Sequence, residues 1–337
     1  MRNGLRASAL AIAVMLPLSA CGASAQEQET LEGKTISLII PFDAGGGYDN
    51  YARQLAPELA AQLNAKVVVI NKPGAGGLLA TNEVWNAKPD GTTIVMFNTV
   101  GHLGSALAGA DGVQYDPEKF GYIGRISSEP DVIVTGNASP HKDFDSFLSA
   151  TEPVRFAATG PGSNEYVTPV VLEEIFGMKN EVVTGFASSN EAYLSVLAGD
   201  VDAHSRSLGS QLPGIAAGDA EPILVLGSQP VDELKGIPTL MDVVPEGETR
   251  PIAEAHAALM ESGRTLAAPP ETDPAILEQL RTAFEEVVTD ETYIAAADKA
   301  GRPVSFASGT AVESTISTIM DSPTSYVDAL KRAYGTN

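Results

Sequence analysis

Cysteine, tryptophan and basic residues are scarce in this 337-residue chain. There is one cysteine and one tryptophan, and 21 Lys+Arg stand against 43 Asp+Glu, a formal charge of −22. The cysteine is Cys21, so no disulfide, cysteine-based metal centre or thiol nucleophile is available downstream of it. A surface this acidic is repelled by nucleic acid and anionic lipid, and no basic stripe is present to track phosphates. Beyond residue 25 no apolar run reaches the ~18 residues needed to cross a bilayer. The four histidines, at 102, 141, 204 and 256, lack metal-ligand spacing, and neither H-E-x-x-H nor G-x-S-x-G occurs. These absences argue against a nucleic-acid binder, a membrane-spanning protein and a hydrolase, and predict no metal or cofactor. A hydrophobic fraction of 44% is enough for a buried core. The length suggests about two domains of ~150 residues.

Residues 1–25 read as an export signal. Arg2 and Arg6 give a positive start, and Ala9 to Ala20 is an apolar run too short to span a bilayer. Two processing sites compete. Ala23-Ser24-Ala25 fits an ordinary signal peptidase. Leu18-Ser19-Ala20-Cys21 fits a lipobox, in which Cys21 is lipidated and becomes the first mature residue. Loss of the leader removes Arg2 and Arg6 and takes the charge from −22 to −24.

Strand and helix alternate from residue 34 onward. Thr35 to Phe42 is a near-continuous apolar run, as in a strand covered on both faces. Ala52, Leu55, Ala56, Leu59 and Leu63 keep helical spacing. Lys66–Ile70 and Thr92–Phe97 predict further strands of this first unit. A second unit beginning near 125 shows strands at Val132–Thr135, Val154–Ala158, Val182–Phe186, Val201–Ser205 and Ile223–Gly227. Helices fall between them at 164–177, 189–199 and 207–218. The tail reads as helical, with Asp273-Pro274 as a helix start and Ile276, Leu277, Leu280, Phe284, Val287 and Val288 as one apolar stripe. This alternation predicts parallel sheets with helices on both faces. A tail without a partner of its own is expected to return to the first unit. The expected organisation is two α/β lobes, 34–124 with 229–337 and 125–228, joined by crossing strands near 122–135 and 221–230, with a ligand cleft between them.

The strongest local signal is Phe42-Asp43-Ala44-Gly45-Gly46-Gly47-Tyr48, where a strand ends, glycines follow and a helix begins. Glycines let backbone N–H groups converge, and a helix N-terminus adds partial positive charge, which suits an anion. An ordinary strand–helix turn fits the same residues. The spacing matches neither a P-loop nor the dinucleotide fingerprint. Gly74-Ala75-Gly76-Gly77 reads as a tight turn.

The segments "IIPFDAGGGYDNYARQLAPEL", "VVVINKPGAGG", "NAKPDGTTIVMFN", "YIGRISSEPDVIV", "AATGPGSNEYVTPVVLEEIFG" and "GRTLAAPPETDPAILEQL" resemble, in order, the substrate-binding proteins of tripartite tricarboxylate transporters, the Bug family. The resemblance spans about Lys34 to Tyr334. It implies a type II periplasmic-binding-protein fold, and a monomer that holds a small organic acid between a loop of each lobe and delivers it to small and large membrane subunits in the periplasm. Carried over, the first loop is Phe42 to Tyr48 and the second Thr159, Gly160, Pro161, Gly162, Ser163 and Asn164. Asn98, Thr99 and His102, after the third strand, would line the cleft. Ser163 equally suits a helix cap, and His102 a structural role. A ligand sensor acting on a membrane receptor would use the same cleft.

Two departures from the family pattern stand out. Prolines usually occupy the positions of Asp43 and Ala44, so Asp43 brings a negative charge to the proposed anion loop, where a ligand donor or cation would meet it. The second-lobe segment that usually reads Val-Pro-Tyr-Lys-Gly-Gly is here Val183 to Ser189. Phe186, Ser188 and Ser189 are therefore candidates for the far end of the ligand. Arg206 is a candidate cleft cation able to grip a carboxylate with two N–H groups, or a residue paired with a surface acid.

Overall fold

The computed structural model describes Met1 and residues 30–336. The rest of the predicted leader, with Cys21, lies outside the described residues. β1 (Thr35–Ile40), β2 (Lys66–Asn71), β3 (Thr93–Asn98) and β4 (Gly121–Ser127) open one sheet. The chain then crosses to β5 (Asp131–Gly136), β6 (Val154–Ala157), β7 (Asn180–Val183), β8 (Ala203–Ser207) and β9 (Ala220–Leu226), which form a second. β10 (Arg264–Ala268) and β11 (Ala307–Ser308) return to the first sheet. The strand orders are β11-β4-β10-β3-β1-β2 and β7-β6-β8-β5-β9. This is a mixed α/β, two-lobed architecture.

The sheets are not all parallel as the alternation predicts. β2-β1-β3 and β7-β6-β8 are parallel, each linked by crossover helices. β10 is antiparallel to both β3 and β4, and β5 is antiparallel to both β8 and β9. Connectivity explains the second case. β5 brings the chain into the second lobe and β9 carries it back, so as neighbours they run in opposite directions.

β10 corrects the expectation of a purely helical tail. Its five residues are too few to display a period, and alanines at 267 and 268 carry little strand preference. All five are buried, with β3 and β4 on either side. Gly263 makes the tight approach possible. Its φ is +74°, and a Cβ there would stand 1.8 Å from the Ser127 carbonyl oxygen, so only glycine fits. Two strand ends also differ from expectation. β7 stops at Val183, leaving Phe186 on the following loop, and β8 extends to Ser207, placing Arg206 within the strand.

One apolar core crosses between the lobes. Val95, Phe97 and Leu103 of the first pack through Val167, Val171 and Leu172 of helix Asn164–Phe176 to Ile133, Phe156 and Ile223 of the second. A separate core under helices Gly47–Gln62 and Pro274–Val288 holds Leu38, Leu55, Leu59, Leu280 and Phe284. That second helix carries the predicted stripe and starts on Asp273, whose side chain accepts from the Ala275 and Ile276 amides. The last helix, Thr324–Tyr334, reaches the second lobe. Tyr334 Oη donates to the Pro161 carbonyl at 2.7 Å, and Arg332 pairs with Glu174.

Candidate functional site

A cavity of about 670 Å³, part of it open to solvent, lies between the lobes. Phe42, Asp43, Gly46, Gly47 and Tyr48 border it from the β1 loop, and Asn164, Ser188, Ser189 and Arg206 from the second lobe. Nine of the sequence candidates thus meet at one space. Gly46 and Gly47 begin helix Gly47–Gln62, and Ser188 caps helix Ser189–Ala198 by accepting from the Glu191 amide.

The other candidates lie elsewhere. Asn98 is buried beneath the cavity. It accepts from Tyr48 Oη at 2.8 Å and donates to the Gly162 carbonyl at 3.2 Å, tying one lobe to the other. Thr99 turns away to Thr265, hydroxyl to hydroxyl at 3.1 Å. His102 is fully buried under the Gly76–Gly77 turn with Nδ1 3.2 Å from Thr81 Oγ1, and burial holds its pKa down to about 3. These three brace the site and do not face it. Thr159 and Phe186 border a smaller recess of about 490 Å³ that shares Phe42 and Asp43 with the main cavity. Ala44 and Gly45 border neither.

The two glycine loops meet each other. A Cβ on Gly76 would stand 2.5 Å from the amides of both Gly162 and Ser163, and one on Gly162 2.8 Å from the Ala75 carbonyl oxygen. Gly160 and Gly162 therefore serve a close backbone seam between lobes. Ser163 Oγ donates to the Gly160 carbonyl at 2.8 Å, within its own loop. Two of the amides expected to hold an anion are already committed to the protein's own carboxylates. The Gly45 amide donates to Asp49 at 2.9 Å, and the Thr159 amide to Glu165 at 3.0 Å. Burial pushes Asp49 up, but Arg53, Gly45 and Asn71 outweigh it and hold the carboxyl below its usual range. An acid near the start of a helix satisfies orphan amides, and here it does so in place of a guest.

Charged side chains absent from the sequence candidates supply much of the wall. Arg264, on β10, is 6% exposed and lies between two tyrosine rings, its guanidinium 5.1 Å from the Tyr48 centroid and 4.9 Å from that of Tyr51. It donates to Ser127 at 2.8 Å, to Glu129 at 2.9 Å, and across the lobe boundary to Ser207. Burial pushes both tyrosine hydroxyls well above their usual pKa, with Arg264 opposing it. Glu129 sits in the crossing segment between β4 and β5 and also accepts from Tyr51 Oη at 2.7 Å and from the Gly209 amide. Asp131, the first residue of β5, borders the cavity and accepts from Asn164. Burial, reinforced by Glu165 and Glu129, raises its pKa to about 7 against the pull of Asn164 and Arg264. Glu165 is buried too, which raises it, yet His204, Ser189 and the Thr159 amide together hold it below its usual range.

Arg206 does not pair with a surface acid. It stacks on Tyr193 at 4.8 Å and donates to the carbonyls of Ser189 and Ser210, while its buried Nε has no partner among the described residues. The signal that could have exposed the missed residues was local. Glu129-Pro130-Asp131 interrupts two apolar strands with acids, and Arg264 interrupts a short buried run.

Comparison with known proteins decides the family. The model described as "Tripartite tricarboxylate transporter family receptor" matches residues 51–313. The chain belongs to this family. Protein BugT of Bordetella pertussis is 25% identical over 276 residues, covering 80% of each chain. A protein from the TAR-I ttuE-ttuC' intergenic region of Agrobacterium vitis is 26% identical over 290 residues, covering 84% of this chain and 80% of its own. Among solved structures, the periplasmic binding protein BugD superposes with a TM-score of 0.75 at 22% identity, covering 89% of this chain and 97% of its own. MatC from Rhodopseudomonas palustris with bound malate gives 0.69 at 22%, covering 86% and 98%. R. palustris Rpa4515 with adipate gives 0.73 at 19%, covering 90% and 97%. These likenesses establish the two-lobed periplasmic-binding-protein fold for this member of the receptor family. No helix among the described residues is long and apolar enough to cross a membrane.

Proposed function

We propose that this receptor-family member captures a small organic carboxylate in the cavity between its lobes and delivers it to the membrane subunits of a tripartite tricarboxylate transporter. The observation that carries this reading is Arg206, a cavity-lining guanidinium that has, among the described residues, no acid bonded to it and a buried N–H without an acceptor. A carboxylate supplies that acceptor and neutralises the charge. The bound malate and adipate of two structural neighbours support the same class of ligand. Phe42, Asp43, Gly46, Gly47, Tyr48, Asn164 and Ser188 also line the pocket, which binds without turning its ligand over. The lobes close by bending where the chain crosses between sheets, at residues 128–130 and just after β9. The protein works as a monomer in the periplasm, exported by residues 1–25 and tethered there if Cys21 is lipidated. Mass spectrometry of the mature N-terminus separates a diacylglyceryl-Cys21 from a free Gln26.

A thermal-shift screen of mono-, di- and tricarboxylates and aromatic acids tests the binding reading. The true ligand raises the melting temperature by mass action. If only compounds lacking a carboxylate do so, the reading falls.

A further inference from the structure

The charges around the cavity do not match a simple dicarboxylate. Four acids border it, Asp43, Glu129, Asp131 and Glu165, against two arginines, 206 and 264. Most of these are satisfied within the protein. Glu129 accepts from Tyr51, Arg264 and the Gly209 amide. Glu165 accepts the amide and hydroxyl of Thr159 on one oxygen, and His204 Nε2 lies 3.4 Å from the other. Arg264 spends both terminal nitrogens on Ser127, Glu129 and Ser207.

Asp43 is only half-buried; among the acids shut away from solvent, Asp131 is the exception. It is 4% exposed, yet among the described residues only Asn164 donates to it, on Oδ2, and no arginine, lysine or histidine forms an ion pair with it. Oδ1 is left without a protein donor on a residue that borders the cavity. Both arginines leave a buried Nε without a partner, but Arg264 is ion-paired to Glu129, whereas no acid among the described residues is bonded to Arg206, which makes it the exception among the bases. Asp131 begins β5 and Arg206 lies on its neighbour β8, one step from the Asp131–Ser207 register pair. An under-paired buried carboxylate and an under-paired guanidinium thus border one cavity. Buried charge is costly until paired, and a guest bearing both complements relieves both costs.

We infer that the cavity selects a ligand carrying a cationic amine as well as a carboxylate, such as an amino acid, with the carboxylate on Arg206 and the amine on Asp131. The inference rests on the carboxylate-binding reading above and narrows it. Asp43, which also borders the pocket, adds negative charge on the same side of the balance.

Isothermal titration of the purified protein against matched pairs tests it. The pairs are succinate with aspartate, glutarate with glutamate, butyrate with 4-aminobutyrate, and isocaproate with leucine. In the pair that binds tightest, the amine-bearing member should bind at least tenfold tighter. Asp131→Asn should cut that ratio to threefold or less, by weakening the amine-bearing member. Arg206→Gln should weaken both members. A tighter or equal amine-free member in wild-type protein overturns the inference and leaves the carboxylate reading standing. Binding by none of the eight at millimolar concentration overturns the inference, and the wider thermal-shift screen then judges the carboxylate reading separately. The wild-type ratio decides the matter even if Asp131→Asn fails to fold.

Discussion

At the scale of single residues, the electrostatics of Asp131 have a consequence for stability. Its pKa in the folded protein is raised to about 7, against 3.8 for the ordinary carboxyl, by burial and by Glu165 and Glu129, with Asn164 and Arg264 opposing. The folded protein therefore binds the proton more tightly than the unfolded chain does. The resulting stabilisation is complete below about pH 4 and is lost as pH rises through 7. Compared with Asp131→Asn, the wild type should gain melting temperature as pH falls from 7.5 to 5, which differential scanning fluorimetry across that range would show. A flat difference would mean that the carboxyl titrates normally. Gly46 offers a different handle. Its backbone is ordinary, with φ −77°, and a Cβ there would meet nothing closer than 3.7 Å. Gly46→Val should leave the melting temperature of the free protein within about 2–3 °C, an effect below about 1 kcal/mol. It places two methyl groups at the cavity wall, so affinity for the ligand should fall at least tenfold by titration. Unchanged affinity would remove this loop from the site.

Among the elements, the glycine turns act as a seam. Gly76 has φ +65° and lies against the Gly162 and Ser163 amides, so the β2 and β6 loops touch through backbone alone. Gly162→Ala would place a Cβ 2.7 Å from Leu78 Cγ and 2.8–2.9 Å from the carbonyl oxygens of Ala75 and Gly76. Backbone cannot move aside as a side chain can, so overpacking here should cost about 1–3 kcal/mol in urea unfolding. A loss under ~0.5 kcal/mol would show that the seam opens freely. β10 matters for a related reason. It sets Arg264 against residues of both lobes, so the position of that charge depends on how the lobes meet.

For the whole molecule, the charge of −22 sets a repulsive far field for anions, screened within about 8–10 Å at physiological salt. An anionic dicarboxylate should therefore associate faster as salt is added. A ligand bearing one carboxylate and one amine has no net charge, and its on-rate should change by less than twofold between about 20 and 300 mM salt. Stopped-flow fluorescence with the tightest ligand distinguishes the two. A steep rise would contradict a guest of zero net charge and leave an amine-bearing diacid such as aspartate or glutamate, whose net charge is −1. The shared core through helix Asn164–Phe176 and the strap of the last helix bind the lobes together on one side, while the charged cavity lies on another part of the same boundary.

Much of this was legible in the sequence because it depends on local rules. Apolar runs, helical stripes and turn glycines mark β1 to β3, the stripe from Ile276 to Val288 and the Phe42–Tyr48 loop, whatever the rest of the chain does. Ordered motifs along the chain identify the receptor family. What those rules cannot reach is who partners whom across long separations. Whether the Gly45 and Thr159 amides face a guest or an internal acid is settled by side chains that fold back onto them. Whether Gly160 and Gly162 bind a ligand or another loop depends on how the lobes meet. The charges at the cavity come from β4–β5, β8, helix Asn164–Phe176 and a strand some 135 residues further on. A buried charge is defined by its neighbours, so Glu129, Asp131 and Arg264 became site residues only when the tertiary fold brought them together.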